Sequence, residues 1–223
     1  MQIQIITQSE LSKVDPVLQS DHPKFLLEKL IKIIDMEGAK TLLRSPIHGN
    51  NRDLLIGALF AFYARKISSR EWFIQKPEKF PDIELSAFSD RPLADKPLDT
   101  VGVEITSIPE KPNTFEEALA ILAEGKLSKL YQRDIRPALL VFINNTHAPA
   151  WAKQFSEFFQ RSNDRFGQVF AIYLLEVNPT DSFVYEVDSL RPTGENYVFK
   201  LNEELARKFI AHPMHERFAR KIV

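Results

Sequence analysis

Glu104 lies in the run Thr100-Val101-Gly102-Val103-Glu104-Ile105-Thr106, whose β-branched content reads as an interior strand. A carboxylate buried there without a partner costs several kcal/mol, so it calls for a cation, a metal ion or a raised pKa. Asp82 follows Pro81 at the entry to the preceding extended segment. Neighbouring strands lie ~4.8 Å apart, so the two side chains can converge. Carboxylates at that range repel unless a divalent ion lies between them, and Mg²⁺ takes one or two carboxylates together with waters and phosphate oxygens. Such a site can bind a phosphodiester and activate a water for in-line attack. The competing reading places Glu104 on a solvated face of its strand, with the valines on the other.

The elements that must hold this pair follow from the hydrophobic pattern. Gln2 to Thr7 reads as a short strand or arm, and Phe25, Leu26, Leu30, Ile33 and Ile34 recur at helical spacing from Pro23 to Gly38. A second helix from Asp53 to Ile67 is apolar around most of its circumference, which wedges it between a sheet and other helices. Glu71 to Gln75 and Ile83 to Phe88 are short, partly alternating and punctuated by prolines, as in an antiparallel meander. The Glu104 strand is the third. Thr114-Phe115-Glu116-Glu117 matches a capping box and opens a helix to about Gln132. Pro137 to Ile143 is nearly all apolar, as a buried central strand is. A helix from Pro149 to Arg161, strands at Val169 to Val177 and Phe183 to Val187, and a basic helix from Asn202 to Lys221 complete the chain.

The expectation is one α/β domain over 1–223, a mixed central sheet flanked by helices with an α-β-β-β-α-β core. The core spans about 53–190, with an N-terminal helical extension at 1–52 and the basic helix at about 200–223. A helix between the third and fourth strands implies one crossover inside an otherwise antiparallel sheet.

The helix after the third strand carries a further signal. Advancing about 100° per residue from Phe115 puts Lys126 near ~20° and Lys129 near ~320°, inside the stripe of Leu119, Leu122 and Ala118. A lysine in a core-facing stripe either reaches an acidic site or snorkels past the helix end.

Pro81-Asp82, then Glu104-Ile105-Thr106 on its strand, within an α-β-β-β-α-β order, resembles the PD-(D/E)XK nuclease superfamily of restriction-endonuclease-like fold. The resemblance covers roughly residues 53 to 145. It implies a nuclease acting on DNA in preference to RNA, with Mg²⁺ or Mn²⁺ held by Asp82 and Glu104. In that family a lysine two residues beyond the second acid orients or activates the water. Thr106 stands at that position, and some members are thought to carry the lysine on the following helix, which points to Lys126 or Lys129. Members often add an acid from the first helix, for which Asp53 is the nearest candidate; an acid in a first helical turn also simply favours the dipole.

Composition bounds the alternatives. The chain has 223 residues, 44% hydrophobic and 26% charged, which suits a globular domain. Cysteine is absent, which excludes a disulfide framework, thiol catalysis and cysteine-ligated metals. Any metal would therefore rest on oxygen ligands, and His48, His147, His212 and His215 form no His-Glu-x-x-His pair. Phosphate-cradling glycine motifs and a Gly-x-Ser-x-Gly elbow are also missing. Trp151, Phe155, Phe158 and Phe159 read as core packing. Arg207, Lys208, Arg217, Arg220 and Lys221 read as a solvated helix that could touch phosphates.

A net charge of −1 points to no electrostatic partner, yet Glu71 to Glu110 holds nine acids against four bases. Most of those read as solvated loop charges. No apolar run reaches the ~20 residues of a membrane span, so a cytoplasmic protein without a membrane partner is expected; the sequence leaves the oligomeric state open, a homodimer included. Two other readings stay open. One is a nuclease-like domain that has lost its lysine and serves as a nucleic-acid-binding or protein-interaction module; the other is an α/β protein unrelated to nucleases.

Overall fold

The computed structural model describes residues 22–24, 26–27, 49–77, 80–93, 96–109, 112–128, 136–143, 148–161, 166–178 and 182–208. The N-terminal arm, most of the first helix, the four histidines at 48, 147, 212 and 215, Lys129 and the basic residues beyond 208 lie outside them.

Helix α1 (Gly49–Ser68) starts ahead of the expected Asp53. Its residues Leu55 to Tyr63 are buried on every side, as their unbroken apolar character requires. Strands β1 (Phe73–Gln75), β2 (Ile83–Leu93) and β3 (Lys96–Ile108) follow as an antiparallel meander. Then come α2 (Phe115–Glu124), β4 (Ala138–Ile143), α3 (Ala148–Arg161), β5 (Gln168–Asn178) and β6 (Ser182–Arg191). The chain closes with β7 (Tyr197–Lys200) and α4 (Leu201–Ala206).

The seven strands form one mixed sheet in sequence order. The single crossover expected from the sequence is corrected to two. Both β3 with β4 and β4 with β5 are parallel, because α3 returns the chain across the sheet as α2 does.

Pleating divides the core in two. Ile83, Leu85, Val103, Ile105, Leu140 and Phe142 face α1. Leu139, Val141 and Ile143 face α2 and α3, where Ala118, Leu122, Trp151, Phe155 and Phe159 pack on them. Trp151, Phe155 and Phe159 of α3 are thus core, as their spacing implies, while Phe158 packs against that core only partly buried.

One contact sets how closely α1 approaches the sheet. A β-carbon at Gly57 would fall far inside van der Waals contact with Ile83 Cδ1, and Ile83 is fully buried. Gly57→Val should destabilise the fold by about 1–3 kcal/mol through overpacking. The gain in helix propensity is only a few tenths of a kcal/mol. A fall in the thermal midpoint followed by circular dichroism checks this.

Three expectations need correction. The helix expected from Asn202 to Lys221 is interrupted at its start: α4 ends at Ala206, carries Glu203 and Glu204 in its first turn, and anchors through buried Leu201 and the Glu204–Arg207 ion pair at 3.0 Å, while residues 209–221 lie outside the described residues. Strand β7 went unread because it is a four-residue edge strand with Val198 in solvent, too short for period-two alternation to register. Glu71, grouped with the loop charges, is 4% exposed, where His22 Nε2 meets it at 3.1 Å and Arg65 at 3.4 Å. A paired carboxylate can enter a core that an isolated one cannot.

Candidate active site

β2 and β3 run antiparallel with Ile83 opposite Val103, so Asp82 sits one step outside that pair and faces Glu104 across the ladder. Because Val103 and Ile105 point to α1, the pleat turns Glu104 and Thr106 to the α2 side. Glu104 ends 2% exposed. The solvated-face alternative for Glu104 is therefore removed.

The third group arrives from α2, but not by the helical wheel. The helix stops at Glu124 and does not run to Gln132: Gly125 leaves the helical conformation, its N–H donating to Ile121 O at 3.1 Å. A 3₁₀ turn (Lys126–Ser128) follows. That turn directs Lys126 back to the sheet, where Nζ donates to Asp82 Oδ2 at 2.5 Å and to Glu104 Oε2. Asp82 Oδ2 also accepts from the Ile105 N–H at 2.7 Å. One ammonium thus joins two carboxylates that lie 44 and 22 residues from it in sequence. Such sharing brings the two acceptor oxygens close to the separation, at most ~4.2 Å, that a single Mg²⁺ with ligand distances near 2.1 Å can span.

Burial of Lys126 works against its charge, yet the hydrogen bonds and charges of Asp82 and Glu104 outweigh it, and its pKa is raised. Lys126 is accordingly an ammonium at neutral pH. The raised value means its stabilisation is fully present below the ordinary lysine pKa of 10.5 and is lost as pH climbs through the folded-state value. Urea midpoints taken from about pH 9 to about pH 12 should fall for the parent protein more steeply than for a Lys126→Met variant.

The remaining expected residues are dispersed. Thr106 lies on the same face as Glu104, beneath the α2 terminus; a β-carbon at Gly125 would stand 3.8 Å from its hydroxyl. Lys129 lies outside the described residues. Asp53 pairs with Lys76 Nζ at 3.4 Å and Arg52 Nε at 3.6 Å and does not share the Lys126 ammonium. Burial raises its pKa, Lys76 and Arg52 oppose that, and the charge of Asp82 adds to it, so Asp53 is near enough to Asp82 to sense it. The physical reason for the separation is the sheet: α1 covers one face and Glu104 points to the other.

Glu84 was given no role by sequence, although it follows Asp82 by two and shares its side of β2. Burial raises its pKa. Period-two spacing from Asp82 was the available signal.

Among the described residues no three His, Asp or Glu side chains converge to hold a metal ion. An ion here would rest on the two carboxylates of Asp82 and Glu104, a donor set that fits Mg²⁺ completed by waters and phosphate oxygens. No helix among the described residues is long and apolar enough to cross a membrane. Comparison with known protein families, with curated proteins and with solved structures finds no match to this chain.

Proposed function

We propose that this chain is a Mg²⁺-dependent phosphodiesterase with a restriction-endonuclease-like core, hydrolysing nucleic acid, with DNA preferred to RNA as the resemblance implies. The observation that carries this reading is Lys126, a cation delivered from the end of α2 to both Asp82 and Glu104 although the motif position holds Thr106. The order α1-β1-β2-β3-α2-β4 supports it. Asp82 and Glu104 are the residues that would hold Mg²⁺ or Mn²⁺. When bound, the ion would polarise the scissile phosphate and lower the pKa of a water.

The chain's own groups divide the remaining work. Lys126, held protonated by its neighbours, serves as a fixed positive charge beside the reacting phosphate and not as a base. The Ile105 N–H orients Asp82 by holding Oδ2. Thr106, on the same face, can offer a hydroxyl where the family places its lysine.

Purified protein with Mg²⁺ or Mn²⁺ is expected to nick plasmid DNA, with loss of nicking on chelation and in Glu104→Ala. Equal cleavage by that variant would mean a contaminant or a different site. A second reading, an inactive nuclease-like module, is favoured by the closure of Lys126 onto both acids as an ion-pair triad. Binding of nucleic acid by the parent protein without cleavage under any metal would select it.

A further inference from the structure

A second acidic face lies on β6, away from the triad. Tyr185 and Val187 point to the α1 core, so the pleat turns Glu186 and Asp188 to the opposite side, against α3. On the neighbouring strand Tyr173 stands opposite Glu186, and Ala171 opposite Asp188. Tyr173 and Ala171 both face α3, so Tyr173 shares the side of the two carboxylates.

Three features of this group want a ligand. The Tyr173 side chain is 2% exposed, and its hydroxyl has no hydrogen-bond partner among the described residues. It lies close enough to Asp188 and Glu186 for both charges to act on it. Asp188 is half-buried and has neither hydrogen bond nor ion pair among the described residues; desolvation, then the charge of Glu186, raises its pKa. Glu186 accepts a single bond at 2.5 Å, from the Asn196 amide, and no cation pairs with it among the described residues. Two acidic residues with α-carbons about 6.7 Å apart along one strand face, with the Tyr173 hydroxyl on the same side of the neighbouring strand, form a negative oxygen-lined site that no cation among the described residues pairs with.

We propose that Glu186, Asp188 and Tyr173 form a binding site for a hard divalent cation, Ca²⁺ or Mg²⁺, separate from the Asp82–Glu104–Lys126 triad. The two carboxylates neutralise the ion, and an oxygen-only donor set favours such ions over zinc or copper. A water on the ion donates to the Tyr173 oxygen, which supplies the partner that the hydroxyl lacks. The site does not depend on the nuclease reading, since no residue is shared.

Calorimetric titration of the chelator-treated full chain with CaCl₂ and with MgCl₂ tests it. The expected result is one binding event retained in Glu104→Gln, lost in Asp188→Asn, and weakened about tenfold or more in Tyr173→Phe, as for groups supporting a bound ion. Should Asp188→Asn fail to give a native circular dichroism spectrum, Glu186→Gln replaces it with the same expectation. The proposal is overturned if the parent binds neither ion at millimolar concentration, or if the carboxylate variants bind as the parent does. It is equally overturned if spermidine raises the melting temperature and neither ion does, for the face would then be an ammonium site.

Discussion

Lys126→Met is expected to lower the unfolding free energy by about 3–5 kcal/mol, the range for breaking a buried ion pair by removing one partner. Glu104 is 2% exposed on the sheet face of Leu139 and Val141, so the charge that Lys126 balances sits where water scarcely reaches. Asp82 is less affected because its side chain is 26% exposed and keeps the Ile105 N–H. The double variant Glu104→Gln with Lys126→Met should recover most of the loss, since replacing both members of a buried pair is often close to neutral. Urea unfolding of parent, both single variants and the double variant gives the coupling energy directly. If Lys126→Met and the double variant were equally unstable, the triad would not be the source of the effect.

Glu104→Gln is expected to reduce Mg²⁺-dependent cleavage by about 10²–10³-fold, as for loss of one preorganised electrostatic group, while leaving nucleic-acid affinity within a factor of about three. The amide keeps the size of the side chain and can still accept from Lys126, so the fold survives. It removes one of the two negative charges that would hold the ion, so the rate falls and ground-state binding does not. Single-turnover cleavage and fluorescence anisotropy on the same oligonucleotide separate the two quantities. A variant that binds and cleaves as the parent does would leave the triad a structural ion pair.

Much of this arrangement was legible in local pattern. The three strands before α2, the buried β4 and the aromatic core face of α3 follow from periodicities of two and of about 3.6 residues. Glu104 was legible as an interior acid because its neighbours Val103 and Ile105 declare the strand buried. The reach of Lys126 was suggested by a wheel that did not apply, since Gly125 ends the helix and a 3₁₀ turn aims the side chain. Glu71 and β7 escaped because their environments come from distant segments: Glu71 meets His22, which is 49 residues away, and β7 exists by pairing with β6.

The sequence by itself determined which residues could be interior, where most of the strands and helices lie, and that no thiolate is available to a metal. Only the tertiary structure decided that Asp82, Glu104 and Lys126 meet on one side of the sheet while Asp53 turns to Lys76 beyond it. Local periodicity fixes the face a side chain points to, because backbone geometry repeats over two or about 3.6 residues. Convergence across tens of residues depends on register, on crossover and on where one glycine stops a helix, and those are settled only when the sheet and its covering helices pack.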